Sequence, residues 1–184
     1  MRWLLALFCL SVASVSQAAF TETIVTKPIE KVAPSPLQLK PQQSSIDKIL
    51  VLKSERRLQL ISAGSPLKTY RISLGKQPKG AKQREGDKRT PEGFYWIDWR
   101  KVSDRYNLAM HVSYPNISDS ARARREGVPP GGMIMIHGTP LDEEYPEEVF
   151  HTLDWTEGCI AMTNSDMREV WNLVPDGTMI EIRP

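Results

Sequence analysis

Seven short apolar segments separated by turns constrain the fold of this chain more than any other feature of its sequence. Each is five to eight residues long, and several alternate apolar with polar residues, which is typical of β-strands. The segments are residues 48–53, 57–61, 67–74, 93–99, 107–114, 133–137 and 178–183. The first three are close enough in sequence to form an antiparallel meander. The pattern therefore predicts a mainly β fold.

Two further segments carry helix signals. Residues 119–126 follow Ser118, a possible N-cap, and stop at Gly127. Residues 165–174 end just before Pro175, which cannot continue a helix. We therefore expect one or two α-helices packed at the side of the β-structure.

The first residues of the chain have the layout of a cleaved secretory signal. Arg2 supplies a positive charge, residues 3–15 form an apolar run, and Ala18 offers a small residue for cleavage. The run is too short to span a hydrocarbon layer of about 30 Å comfortably. We expect residues 1–18 to be removed and the mature protein to be exported to the periplasm or cell envelope.

Residues 19–45 predict a flexible tether, because they contain four prolines and show no sustained apolar period. Residues 46–184 carry all the predicted strands and helices and are long enough for one domain with its own core. The chain is 40% hydrophobic and 25% charged, the balance of a globular protein. A net charge of +2 gives no indication of a nucleic-acid partner.

The cysteine count becomes informative once the signal is removed. Cys9 would leave with the signal, so Cys159 is the only thiol expected in the mature chain. A lone thiol in an oxidising compartment is a liability unless it is buried or used. A small buried hydrophobe is the commoner fate and stays open as the alternative to a nucleophile.

Local sequence favours the nucleophile. His137 follows the apolar run 133–136, which would place an imidazole at the end of a buried strand. A histidine near a thiol can hold it as the thiolate and later return the proton to a leaving amine. Gly158, just before Cys159, lets backbone amides approach a substrate oxygen closely. Spacing alone does not decide the question, because cysteine and histidine partners are usually distant in sequence.

These residues resemble a known family. His137-Gly138, followed after a gap by Thr156-Glu157-Gly158-Cys159-Ile160, is similar to the motif of the L,D-transpeptidase catalytic domain, the YkuD type. The segment 86–95, with Thr-Pro-Glu-Gly entering a strand, is similar to the second hallmark of that family. The form after the cysteine, Gly-Cys-Ile-Ala-Met-Thr, resembles a YafK-like branch. The resemblance implies a mixed β-sandwich with one or two flanking α-helices.

The resemblance also implies roles for individual residues. Cys159 would be the nucleophile and His137 the proton donor and acceptor, oriented by the backbone carbonyl of Gly138. The amide of Gly158, with that of Cys159, would form the oxyanion hole. Three further residues are candidates for contact with substrate: Thr156, Trp155 and Tyr114. Trp155 could equally pack beneath the cysteine.

The implied activity is attack on a peptidoglycan stem tetrapeptide after its third residue, through a thioacyl-enzyme that an amine resolves. The amine would belong to another stem peptide, and a wall-attached lipoprotein is a second possible acceptor or substrate. Glu157 and Ala161 depart from the commonest family motif and leave the acceptor open. The alternatives are an L,D-carboxypeptidase or amidase that hydrolyses the same type of linkage, and a non-catalytic wall-binding module.

Other conspicuous residues have simpler interpretations. The three histidines, His111, His137 and His151, show no His-x-His or His-x-x-x-His spacing, so we expect no metal and no other cofactor. His111 and His151 are expected in the core or a loop. The basic stretch from Lys76 to Arg89 could steer stem carboxylates, but a solvated flexible loop is the simpler expectation.

Overall fold

The computed structural model describes residues 45–141 and 146–184, and these form a sheet with helices beside it. The predicted signal at residues 1–18 and nearly all of the predicted tether at 19–45 lie outside the described residues. The strands are β1 (Lys48–Leu52), β2 (Arg57–Ser62), β3 (Ser65–Arg71), β4 (Gly93–Ser103), β5 (Asn107–Val112), β6 (Met135–His137), β7 (Ile160–Ala161) and β8 (Met179–Arg183). The helices are α1 (Ile117–Glu126), α2 (Glu147–Phe150) and α3 (Asn164–Leu173).

The strands form one mixed sheet in the order β3-β2-β1-β8-β4-β5-β6-β7. The pairs β1–β8 and β6–β7 are parallel, and the other pairs are antiparallel. The long strand β4 belongs to both halves of the sheet: its first residues, 93–96, pair with β8, and the later residues pair with β5 beyond a register shift near Ile97. The sheet can therefore fold over on itself along β4.

The backbone after β3 closes this folded sheet. Ser73 N donates to Ala161 O at 2.8 Å, and Ala161 N donates back to Ser73 O at 2.9 Å, so the segment following one edge strand pairs with the strand at the other edge. Closure leaves β7 hydrogen-bonded on both sides, and this strand directly follows Cys159. The cysteine therefore stands where the two ends of the sheet meet.

The core lies between the two halves of the sheet. Alternate residues of β1 and β8 are buried, such as Ile49 and Ile180, both fully so. They meet residues from the other half, such as Met110 of β5 and Ile136 of β6. Met167 of α3 packs into the same cluster. Burying each such side chain stabilises the fold by about 1.5–3 kcal/mol.

The predicted mainly β fold with flanking helices is confirmed, and the differences are local. β7 was not predicted, because two residues are too few to show a period, and the four-residue helix α2 was not predicted either. α1 begins before the predicted start: Asn116, not Ser118, is its N-cap. Asn116 Oδ1 accepts the Asp119 amide at 2.9 Å while the Asp119 carboxylate accepts the Asn116 amide, a reciprocal capping box.

Among the described residues, no helix combines the length and the apolar character needed to cross a bilayer.

Candidate active site

The pairing of β6 with β7 brings the strand that ends in His137 beside the strand that follows Cys159. Ile136 stands opposite Ile160, and His137 opposite Ala161. Ile136 and Ile160 point into the core, with no exposed surface. Because side chains alternate along strands, His137 and Ala161 point to the other face. Cys159 directly precedes β7, two residues before Ala161, so the strand pairing brings it beside the segment that carries His137.

His137 is held in one tautomer. Its Nδ1 lies 2.7 Å from the carbonyl oxygen of Gly138. A carbonyl only accepts, so Nδ1 carries the proton and Nε2 keeps a free lone pair. The ring is 3% exposed, and this burial lowers the pKa of His137 to about 4 against an opposing contribution from the Gly138 hydrogen bond. The charge of Arg105 lowers the pKa of His137 further. The imidazole is therefore neutral near pH 7.

The lowered pKa of His137 predicts a pH dependence of stability. Between about pH 6.5 and pH 4 the unfolded chain binds a proton at His137 that the folded protein does not, so the free energy of unfolding falls as the pH falls through this window. From pH 7 to pH 5 we expect a loss of about 2 kcal/mol from this residue. Urea denaturation of the wild type and of His137→Gln at pH 7 and pH 5 measures this loss of unfolding free energy. Equal losses in the two proteins would contradict this prediction.

Cys159 is half-buried beside β6. Its Sγ donates to the carbonyl of Met133 at 3.7 Å. Burial raises the pKa of Cys159, while a backbone hydrogen bond from Met135 and the charge of Lys82 act in the opposite direction. The raised pKa of Cys159 and the lowered pKa of His137 favour a neutral thiol and a neutral imidazole in the resting protein.

The turn before Cys159 is tied together by Thr156, which is buried. Its Oγ1 donates to Cys159 O at 2.8 Å and accepts the Gly158 N–H at 3.1 Å. Gly158 has a φ of +132°, and a Cβ there would come within 2.8 Å of Arg89 O, so only glycine fits. Thr156 thus holds the turn from inside, and the Gly158 amide already has an acceptor within the protein.

The basic stretch from Lys76 to Arg89 is a mostly solvent-exposed loop, as expected, with Lys82 as the exception. Lys82 is 3% exposed and bonds the Asp87 carboxylate at 2.7 Å. Asp87 also accepts backbone amides of this stretch, including those of Gln83 and Arg89. A buried ion pair with further hydrogen bonds fixes the backbone around it. Glu157, which bonds Lys76 at 2.7 Å, attaches the cysteine turn to this stretch.

An aromatic cluster covers the outer side of His137. The ring centroids of Tyr106 and Trp155 lie 4.2 and 5.7 Å from that of the imidazole. Phe150 packs edge-on against Trp155, with 5.3 Å between their ring centroids. Sequence reasoning singled out Trp155 but missed Tyr106. Tyr106 lies in the connection between β4 and β5, and no local pattern links it to a histidine that arrives 31 positions later. The cluster excludes water from His137 and so accounts for its lowered pKa.

Tyr114 does not lie at the surface near Cys159. It is 3% exposed, its hydroxyl donates to Pro130 O at 3.0 Å, and burial raises its pKa to about 12. We therefore place Tyr114 in the core rather than in contact with substrate. His111 stacks on Trp99 and bonds Asp98 at 2.6 Å, on the interior strand β5. Within residues 45–141 and 146–184, no group of three or more His, Cys, Asp or Glu could hold a metal ion.

Residues 45–141 and 146–184 form a mainly β domain with a candidate cysteine–histidine site where its sheet closes. The family model for the L,D-transpeptidase catalytic domain, YkuD, matches residues 46–182, and the chain belongs to this family. The resemblance recognised from the two sequence motifs is therefore confirmed.

Individual relatives agree with this assignment. The protein YafK of Escherichia coli strain K12 is 32% identical over 132 residues, covering 68% of this chain and 46% of YafK. The helical cell shape determining protein Pgp2 from Campylobacter jejuni is 28% identical with a TM-score of 0.57, covering 74% of this chain and 46% of Pgp2. Bd1075 of Bdellovibrio bacteriovorus is 25% identical with a TM-score of 0.55, covering 76% of this chain and 48% of Bd1075. This chain spans just under half the length of these relatives.

Proposed function

We propose that this protein is a cysteine-dependent peptidoglycan L,D-transpeptidase of the periplasm or cell envelope, with Cys159 as its nucleophile. One observation supports the proposal most directly: Cys159 directly precedes β7, which pairs in parallel with the strand that ends in His137, and the Gly138 hydrogen bond leaves Nε2 of His137 unprotonated. Membership of the L,D-transpeptidase family and the likeness to a cell shape determining protein support peptidoglycan stem peptides as the substrate.

The first half-reaction starts from the neutral pair. Cys159 Sγ attacks the carbonyl carbon of the third residue of a stem tetrapeptide while Nε2 of His137 takes the thiol proton. The buried imidazolium is costly by itself, but the developing negative charge beside it offsets that cost. Collapse of the tetrahedral intermediate breaks the amide bond, and His137 returns the proton to the leaving D-alanine nitrogen. A thioester on Cys159 remains.

The oxyanion needs backbone donors close to the sulfur. The amide of Cys159 itself is the donor on which the proposal relies. The Gly158 amide bonds Thr156 Oγ1 at 3.1 Å, so it can contribute only after Thr156 releases it. Thr156 therefore has an effect on the oxyanion through the turn, whether or not it contacts substrate.

An amine completes the second half-reaction. It attacks the thioester, His137 accepts a proton from it, and Cys159 is released as the thiol. The amine belongs to the diamino acid of a second stem peptide, and the lysine of a wall-attached lipoprotein has the same chemistry. Water in place of the amine would make the protein an L,D-carboxypeptidase or amidase.

Acylation by a carbapenem tests the first half-reaction. A carbapenem carries a reactive lactam carbonyl, so we expect the wild-type protein to gain the mass of one molecule at Cys159, as seen by intact mass spectrometry and peptide mapping. Cys159→Ala is the matched control and should gain nothing. Failure of the wild type to form an adduct, with a thiol titration showing Cys159 to be free, would indicate a non-catalytic wall-binding module instead.

Incubation with purified sacculi tests the second half-reaction. We expect muropeptide analysis to show new crosslinks between third residues, or exchange of the terminal D-alanine when a D-amino acid is added. Release of tripeptides without exchange would show that water resolves the thioester and would replace the transferase by a hydrolase.

A further inference from the structure

Three side chains form a closed hydrogen-bonded ring directly behind His137 and Gly138. Asn164 Nδ2 donates to Thr139 Oγ1 at 2.7 Å, and Thr139 Oγ1 donates to Glu147 Oε1 at 2.8 Å. The same Glu147 oxygen accepts the backbone N–H of Asn164, which closes the ring. We call Thr139, Glu147 and Asn164 the carboxylate ring.

The carboxylate ring joins three separate segments. Thr139 follows β6, Glu147 begins α2, and Asn164 begins α3. Thr139 is 2% exposed, and among residues 45–141 and 146–184 its hydroxyl bonds only the two ring partners. The Glu147 carboxylate lies at the first amide of α3, where the helix dipole favours negative charge. No single helix or strand needs this arrangement, since Thr163 already caps α3.

The ring is connected to His137 through one peptide group. The carbonyl that accepts Nδ1–H of His137 belongs to Gly138, and it lies in the same planar peptide unit as the Thr139 nitrogen. Fixing Thr139 therefore fixes the direction of that carbonyl. Without the fixed carbonyl, the Nδ1–H tautomer of His137 loses its preference over the Nε2–H form.

Close packing strengthens the connection. A Cβ on Gly138 would overlap Asn164 Oδ1 and would lie 3.0 Å from Tyr106 O. Asn164 Oδ1 is buried and, within the described part of the chain, has no hydrogen-bond partner. Its position is therefore set by the hydrogen bond that Nδ2 of the same side chain donates to Thr139 Oγ1. The Asn164 amide thus presses on Gly138 from one side while Tyr106 confines it from the other.

We propose that Thr139, Glu147 and Asn164 are positioning residues that hold the Gly138 carbonyl and thereby keep Nε2 of His137 unprotonated and directed at Cys159. This inference rests on the proposed function only in giving His137 the role of base. The orientation of the imidazole is a property of the resting protein and can be measured without any reaction.

The test compares Thr139→Val, which removes the ring hydroxyl, with Thr139→Ser, which keeps it. The first readout is the ¹⁵N NMR spectrum of the histidine rings at pH 7 in the full chain. We expect wild type and Thr139→Ser to show a protonated Nδ1 and an unprotonated Nε2 for His137, and Thr139→Val to show a mixture of tautomers. The second readout is the rate of carbapenem acylation, which should fall at least about tenfold in Thr139→Val and recover most of the loss in Thr139→Ser.

One control variant and one further pair guard against an unspecific effect. Thr69→Val, at an exposed position of β3, makes the same chemical change far from the ring and should alter neither readout. If Thr139→Val does not fold, Glu147→Ala and Glu147→Gln replace the pair, because Glu147 is only half-buried. Glu147→Gln retains the acceptor oxygen and should keep the wild-type tautomer, whereas Glu147→Ala should not.

The two readouts separate the inference from the proposed function. A wild-type tautomer in both Thr139→Val and Glu147→Ala would overturn the positioning role, whatever the acylation rates. A shifted tautomer with no acylation of the wild-type protein would retain the positioning role and remove the proposed function. A lower acylation rate with an unchanged tautomer would show that the ring acts only on the general stability of the site, and would also overturn the inference.

Discussion

Replacing His137 with glutamine is expected to slow the acylation of Cys159 by a carbapenem by roughly 10²- to 10⁴-fold, the usual contribution of a positioned general base. The neutral thiol cannot attack efficiently unless its proton has an acceptor, and burial raises the pKa of Cys159 rather than lowering it. Free thiolate would therefore contribute little near pH 7. Glutamine is close to histidine in size, so the aromatic cluster around residue 137 should survive.

The measurement is the acylation rate followed by intact mass against pH, with circular dichroism as the check on folding. His111→Gln is the matched control, because His111 is bonded to Asp98 and stacked on Trp99 and should be dispensable for acylation. In the wild type, the acylation rate should fall as the pH is lowered through about 4, because His137 becomes protonated there. A His137→Gln rate equal to that of His111→Gln would remove His137 from the role of base.

Alternation of apolar residues was enough to predict that this domain is mainly β. In β1 the buried residues Ile49 and Val51 alternate with partly exposed ones, so the strand period is visible in the sequence. The period could not show the strand order, because β8, the last strand, inserts between β1 and β4. That insertion depends on contacts between residues more than 80 positions apart.

The motif indicated candidate site residues but not what surrounds them. Cys159, His137 and Gly138 could be proposed as candidates because their residue types and order are informative by themselves. Tyr106 and the carboxylate ring were missed because a tyrosine in a turn and a lone Thr, Glu or Asn are ordinary in sequence. Their importance comes from where the folded sheet brings them, which only three-dimensional contacts reveal.

The basic stretch differs from what its composition suggested at one residue. Six positive charges in 14 residues are typical of an open loop, and most of these side chains are exposed. The exception is Lys82, which buries its charge by pairing with Asp87, while Lys76 remains exposed and bonds Glu157. Composition averages over the whole stretch and cannot show which lysine will pair with an internal acid.

Gly75 is where the basic stretch contacts the cysteine turn, and Gly75→Ala is expected to lower the free energy of unfolding by about 3 kcal/mol or more. A Cβ at residue 75 would overlap the backbone carbonyl of Lys88 and would lie 3.0 Å from Gly158 Cα. Neither atom can move aside by rotating a side chain. The Gly75 amide also donates to Thr90 Oγ1 at 3.1 Å, and Thr90 is fully buried.

The same substitution should slow acylation of whatever fraction remains folded, because relief of the overlap moves either the basic stretch or the turn that carries Cys159. Urea denaturation gives the stability, and the acylation rate under native conditions gives the effect on the site. Gly132→Ala is the matched control: the nearest atom to its Cβ, Tyr114 O, is 4.0 Å away, which is ordinary contact. Equal unfolding free energies and equal acylation rates for Gly75→Ala and Gly132→Ala would contradict this prediction. They would show that the close approach of Lys88, Gly75 and Gly158 does not hold the cysteine turn in place.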